Sequence, residues 1–323
     1  MKRIKFLPLV LGFAMLLSAC AGMSADNDEV LKDTTNISKQ NTEISENPNE
    51  SIESNEQFSG MVLPTPEQKQ TINLWSDNNI PAWSGSQNSN EASDFVPNME
   101  FYPAEGEVKG AVLICPGGAF AMRSISNEGY PIAEKLSALG YQSFIVNYRL
   151  RPYTQEESAL DLTRAVRYVR YYADEYGIDE KDIAVVGFSA GGILAGELVL
   201  HDDGTKIPSE LDESYISDVL DSVSADASAI GHIYSFYGRL SVSDNDIETL
   251  KQGNLPPTFY AYGTKDPFYR QFIQNADAVK EAGVEVEEHV FEGQPHGFGA
   301  GNRNSEWIPS FDAFLTGIFE GNN

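Results

Sequence analysis

From residue 110 onward, short unbroken apolar runs alternate with longer segments whose apolar positions recur every three or four residues. The runs read as strands buried on both faces, and the longer segments read as amphipathic helices. Strands are expected at Gly110–Cys115, 183–186, 233–237 and 256–263, and at 284–291, where apolar and polar residues alternate. Helices are expected over 130–139, 158–175, 191–201, 269–282 and 308–319. Such alternation builds an α/β domain, a mostly parallel, doubly wound sheet with helices on both faces. Within 158–175, Arg164, Arg167 and Arg170 recur every third residue beside Asp161, which predicts a solvated face with helix-spaced ion pairs. The acidic, polar stretch 202–226 breaks the pattern. It is too short for a large cap, so a small lid or a surface excursion is expected.

Before residue 94 the pattern fades. Lys2, Arg3 and Lys5 precede the apolar stretch 6–17, which Leu17-Ser18-Ala19-Cys20 closes. A basic start, a short apolar run and small residues describe a signal peptide over 1–19, because a membrane span needs about 20 apolar residues. The leucine-small-small-cysteine ending resembles the bacterial lipobox. That resemblance implies a mature chain beginning at Cys20, held by a lipid at that residue on the extracytoplasmic side of the cell membrane. Residues 20–60 are rich in Asn, Ser, Thr, Glu and Asp, too polar to offset the entropy of ordering, and read as a disordered tether. Residues 61–93 read as an extension packed on a catalytic domain that spans 94–323. Its Trp75 and Trp83 are expected in core packing, with a carbohydrate-stacking rim as the alternative.

Charge and cysteine count narrow the partners. A formal net charge of −26 repels nucleic acid and anionic lipid heads, and losing the three basic residues of the signal makes it more negative. Neutral or weakly charged small molecules or oligosaccharides fit better. With Cys20 lipidated, Cys115 has no disulfide partner and reads as a small core residue. The Cys and His residues do not have zinc-ligand spacing, so neither metal nor cofactor is expected. Oligomeric state is not legible.

The candidate chemistry centres on Gly187-Phe188-Ser189-Ala190-Gly191-Gly192, which joins the strand at 183–186 to the helix that follows. A serine at the apex of such a turn is presented outward as a nucleophile, and small neighbours permit the strained backbone. Acyl transfer by serine also needs a base, a carboxylate to orient it and donors for the oxyanion. Strand Gly110–Cys115 runs into Pro116-Gly117-Gly118-Ala119-Phe120, so Gly117 or Gly118, together with Ala190, is expected to supply backbone N–H groups. Histidines occur at positions 201, 232, 289 and 296. His296 lies in a glycine-rich loop after a strand, where α/β sheets gather their chemistry. His289 is placed within a strand, His201 at a helix end and His232 at the start of the strand expected at 233–237. Asp266, in the turn Thr264-Lys265-Asp266-Pro267, is placed to orient the imidazole. The chain order Ser189, Asp266, His296 is that of α/β-hydrolases.

Beyond this triad, a series of segments resembles the acetyl-esterase/lipase branch of the α/β-hydrolases, and in particular the small feruloyl- and acetyl-xylan-esterase-like enzymes. These are Pro116-Gly117-Gly118-Ala119-Phe120, Asn127-Glu128-Gly129-Tyr130-Pro131, Asn147-Tyr148-Arg149-Leu150, the serine turn, Gly263-Thr264-Lys265-Asp266-Pro267 and Pro295-His296-Gly297-Phe298. The resemblance implies an α/β-hydrolase fold with a small or absent cap. It also implies a serine carboxylic ester hydrolase acting through Ser189, Asp266 and His296, with short acyl esters of carbohydrates as substrate. Relatives often carry histidine or a third glycine where this chain has Pro116 and Ala119. A prolyl-oligopeptidase-like peptidase shares the serine turn but usually carries a β-propeller, for which this chain has no room. A non-catalytic glycan-binding protein on the same scaffold is the other alternative.

Overall fold

The order in which the strands pair decides where chemistry can be gathered. The computed structural model describes residues 62–200, 208–299 and 305–322, all within the compact unit Ser51–Asn323. Expectations for the signal sequence, Cys20, the tether and His201 lie outside the described residues. In chain order the strands are β1 (Gln70–Asn73), β2 (Asn98–Tyr102), β3 (Gly110–Cys115), β4 (Tyr141–Asn147), β5 (Ile183–Phe188) and β6 (Ala229–Ile233). A short hairpin follows, β7 (Gly238–Arg239) with β8 (Val242–Ser243), and then β9 (Thr258–Gly263) and β10 (Val286–Phe291). All but the hairpin join one eight-stranded sheet in the order β1-β2-β4-β3-β5-β6-β9-β10. Only β2 pairs antiparallel with both of its neighbours, while the strands from β4 to β10 run parallel.

The helices are α1 (Tyr130–Ala138), α2 (Gln155–Tyr171), α3 (Ala173–Tyr176), α4 (Ala190–Leu200), α5 (Ile247–Gln252), α6 (Tyr269–Glu281) and α7 (Trp307–Asn322). They cover both faces of the sheet. Phe259 and Tyr260 are consecutive on β9 and therefore point to opposite faces. Phe259 packs against Phe311 and Phe314 of α7, whereas the Tyr260 hydroxyl donates to Asn275 Oδ1 of α6 at 2.8 Å. Strands β3, β5, β6 and β9 are buried along their whole length, which is why they appear in the sequence as unbroken apolar runs.

Three expectations change. First, α2 begins at Gln155 rather than 158, because Thr154 and Glu157 form a reciprocal cap: the Glu157 N–H donates to Thr154 Oγ1 at 3.1 Å and the Thr154 N–H to Glu157 Oε2 at 2.7 Å. Second, the supposedly solvated face of that helix is buried. Asp161, Arg164 and Arg167 are at most 1% exposed. Asp161 accepts two bonds from the Arg149 guanidinium, at 2.7 and 2.9 Å, and one from the Trp75 indole at 2.8 Å, while Arg164 pairs with Asp218. Those partners come from distant sequence, which helix spacing does not register. Third, the sixth strand spans Ala229–Ile233 and contains His232, since Tyr234 takes a left-handed φ of 41° and ends it. The described part of 202–226 forms a surface excursion: Asp218 and Asp221 reach Arg164, and Tyr215 packs against Trp75. Trp75 is buried, in keeping with core packing, and Trp83 stacks on Tyr153.

Candidate active site

After β3 the chain turns one way to β4, then crosses back to β5 on the other side of β3, so the loops that leave β3 and β5 diverge. The crevice beyond the carboxyl ends of strands at such a reversal is where open α/β sheets bind ligands. Ser189 stands there, one residue past β5, with φ at 49°. Several contacts hold this strained turn. The Ser189 N–H donates to the Ile233 carbonyl at 3.1 Å, and Ser235 Oγ donates to the Ser189 carbonyl at 2.7 Å. Gly191 permits α4 to start directly against β3, because a Cβ there would lie 1.9 Å from the Cys115 carbonyl oxygen.

The structure brings Ser189, Asp266 and His296 together. His296 Nε2 lies 2.9 Å from Ser189 Oγ, and Nδ1 lies 2.7 Å from Asp266 Oδ2. The Asp266 side chain is fully buried, and its Oδ1 also accepts the Phe268 N–H at 2.9 Å, which fixes the carboxylate plane. Tyr234 and Phe268 flank the imidazole, with ring centroids 4.9 and 5.8 Å away. A carboxylate on Nδ1 places the single proton of a neutral imidazole there and leaves Nε2 free to accept from the serine.

The other histidines are elsewhere. His289 bonds Glu287 and stacks on Phe259, and His232 is buried in β6. Burial alone pulls the His232 imidazole down to about 3. Cys115 is buried and free, its thiol pushed up by desolvation, as expected of a core residue.

The oxyanion loop holds a residue that sequence reasoning missed. Gly117 does not present a free amide, because its N–H donates to Glu128 Oε2 at 2.7 Å. Among the described residues, the N–H groups of Gly118 and Ala190 have no hydrogen-bond partner. Gly118 has φ at 131°, and a Cβ there would lie 2.1 Å from the Met122 carbonyl oxygen, so glycine is required. Glu128 belongs to the turn of π-helix at Ile125–Gly129 and is buried. Its Oε1 accepts the Tyr234 hydroxyl at 2.6 Å. Burial raises the Glu128 carboxyl above the usual range, and the bonds from Tyr234 and Gly117 oppose that rise. In the sequence Glu128 stands out only as part of the segment Asn127-Glu128-Gly129-Tyr130-Pro131 that carries the family resemblance, which assigned it no role.

A cavity of about 20 Å³ opens at Ser189, lined by Ile193, Tyr234, Phe236, Leu240, Phe268 and His296. It has room for little more than one water-sized group. Larger grooves on the surface contain none of the triad.

Fold and site define an α/β-hydrolase. The BD-FAE family profile matches residues 100–258, and one described as alpha/beta hydrolase fold matches 227–300. Among characterised proteins, the acetylxylan esterase of Xylanibacter ruminicola is 26% identical over 239 residues, covering 70% of this chain and 48% of its own. The endo-1,4-beta-xylanase B of Butyrivibrio fibrisolvens is 31% identical over 159 residues, covering 47% of this chain and 24% of its own. The chain thus spans half or less of the length of these two relatives. The crystal structure of an acetyl ester-xyloside bifunctional hydrolase from Caldicellulosiruptor lactoaceticus superposes with a TM-score of 0.59 at 26% identity, over 78% of this chain and 96% of that one. The chain is an α/β-hydrolase that resembles the acetylxylan esterases.

Proposed function

We propose that this chain is a serine carboxylic ester hydrolase that removes short acyl groups, acetyl above all, from carbohydrates or similar small alcohols. The observation that carries the reading is the continuous hydrogen-bonded line from Ser189 Oγ through the His296 ring to buried Asp266. In this reading Ser189 Oγ attacks the ester carbonyl while His296 Nε2 takes its proton, and Asp266 stabilises the imidazolium. The N–H groups of Gly118 and Ala190 receive the developing oxyanion. His296 then returns the proton to the departing alcohol, leaving an acyl-Ser189 ester. Water, deprotonated by the same imidazole, attacks that ester, and the acid leaves as Ser189 regains its proton.

The small cavity beside Phe236, Leu240 and Phe268 supports acetyl preference, since it offers a longer acyl chain little enclosed room. The names of the acetylxylan esterase and acetyl ester-xyloside hydrolase relatives support the carbohydrate side. The test is hydrolysis of nitrophenyl acetate, butyrate and octanoate by residues 62–323. Turnover is expected to fall from acetate to octanoate and to vanish in Ser189→Ala. Octanoate turned over as well as acetate would remove the acetyl reading, and an inert wild type would remove the esterase reading and send the search to peptide substrates. We further propose that Cys20 carries a lipid anchor on the extracytoplasmic side. Labelled palmitate should enter the full chain in bacterial cells and be lost in Cys20→Ser.

A further inference from the structure

Two parts of the catalytic centre, the oxyanion loop after β3 and the aromatic support of His296 after β6, come from distant sequence and are not bonded directly to each other. One side chain joins them. Glu128 accepts the Gly117 N–H on one carboxylate oxygen, at 2.7 Å, and the Tyr234 hydroxyl on the other, at 2.6 Å. Glu128 is 6% exposed and Tyr234 1%, so both bonds are shielded from water. The loop is closely packed here, since a Cβ on Gly117 would lie 2.6 Å from the Phe188 carbonyl oxygen and 3.0 Å from Glu128 Oε2.

Each end of this bridge sits next to a reacting group. Gly117 directly precedes Gly118, whose amide is free. Tyr234 lies against the imidazole of His296, and its N–H donates to the Ala261 carbonyl at 2.7 Å. Its left-handed φ of 41° is costly for a large L-residue and persists only when its surroundings over-determine it. The hydroxyl bond to Glu128 is the polar contact that fixes the far end of this side chain.

We propose that Glu128 is a positioning residue for catalysis, a buried clamp whose two hydrogen bonds set the oxyanion loop and the Tyr234 ring beneath His296 in one frame. The inference rests on the esterase reading above. The clamp works by accepting hydrogen bonds and touches neither substrate nor the reacting atoms. Removing it frees the Gly117 peptide to rotate, which misplaces the neighbouring Gly118 amide, and frees Tyr234 to relax its backbone, which tilts the imidazole. Both changes act on the transition state, while Ile193, Phe236, Leu240 and Phe268 of the cavity keep their places.

The experiment compares Glu128→Gln, Glu128→Ala and Tyr234→Phe with wild type in the full chain. It measures kcat and KM on nitrophenyl acetate and the rate at which a fluorophosphonate labels Ser189, below the melting temperature of every variant. Glutamine keeps the geometry, because its carbonyl oxygen accepts the Gly117 N–H and its amide can donate to the tyrosine oxygen. Glu128→Ala should lower kcat about 100-fold, the size of a lost oxyanion donor, with KM within about threefold of wild type. Labelling should slow in parallel. Glu128→Gln should recover all but about threefold of that loss, and Tyr234→Phe, which breaks one arm and keeps the ring, should fall between.

Unchanged kcat and labelling in a folded Glu128→Ala would overturn the proposal. So would a Glu128→Gln as impaired as Glu128→Ala, which would make the charge the active property. If Glu128→Ala does not fold, Tyr234→Phe decides, and wild-type kcat there overturns the clamp. A wild type that neither hydrolyses ester nor takes up the label overturns the esterase reading and the clamp together, whereas a reactive wild type with unaffected variants overturns the clamp alone.

Discussion

Two histidines of this chain sit in opposite surroundings, and the contrast is measurable. His296 is exposed and bonded at both ring nitrogens, whereas His232 is fully buried and neither of its nitrogens has a partner among the described residues. The His232 ring instead lies against Tyr237 and Tyr260. Burial holds its folded value at about 3, below the unfolded value of about 6.5, so between these limits the unfolded chain binds the extra proton. The stability contributed by the neutral ring is present above about pH 6.5 and is lost as pH falls towards 3. Between pH 7 and pH 5 this one group should cost about 2 kcal/mol, and His232→Phe should lose that much less over the same interval in urea titrations. Equal losses in both proteins would mean that the ring is hydrated or protonated in the fold. The choice of His296 over His232 was legible from loop chemistry and chain order alone. Glu128 was not, because its role depends on an amide and a hydroxyl that only the folded chain brings to it. For the same reason, the sequence could not exclude Gly117 as a free donor.

Helix α2 shows how an element can be legible while its surroundings are not. Its apolar spacing marks it clearly, although the Thr154 cap starts it three residues earlier than that spacing suggested, and its charged stripe faces inward. A polar stripe on an amphipathic helix ordinarily meets water. Here 62–97 and the excursion around Asp218 close over it and supply opposite charges and carbonyls, as in the bond from Arg164 to the Leu74 carbonyl at 2.8 Å. The Arg149–Asp161 pair is fully buried, and desolvation and attraction oppose each other at Arg149, whose value is raised on balance. Removing one partner strands the other charge. Asp161→Ala should therefore destabilise the domain by about 3–5 kcal/mol, far more than a surface ion pair is worth. Chemical denaturation would detect this, and a loss below about 1 kcal/mol would restore the solvated reading. The expected strands were read more reliably, because a parallel strand covered on both faces has no polar side to mislead; of these only the sixth was misplaced, where the strained Tyr234 ends it early, whereas β2 and β4 were not anticipated.

Across the whole domain, 62–97 is part of both the sheet and the catalytic end. It contributes β1 and buries Ile72, Leu74 and Trp75. It also reaches the loop beyond Gly118: Glu91 pairs with Arg123 at 2.5 Å, and the Asn90 side-chain amide donates to the Ala121 carbonyl at 2.8 Å. Burial of those three apolar side chains alone is worth about 5–9 kcal/mol, comparable with the whole stability of an ordinary domain. A chain beginning at residue 98 should accordingly show no cooperative urea transition, whereas one beginning at residue 62 should show a single one. The mostly parallel, doubly wound sheet was legible from alternation, but the place of its reversal and the pairing of β1 were not, because strand order leaves no mark on periodicity and so short a strand carries too little pattern. The reversal has one more consequence. Ser189 and His296 are 107 residues apart in sequence yet 2.9 Å apart in space, and they meet only after β5, β6, β9 and β10 have paired in order. Recovery of the proposed ester turnover after dilution from denaturant would thus count only molecules in which β5, β6, β9 and β10 have paired, a stricter clock for refolding than tryptophan emission, which collapse alone can restore.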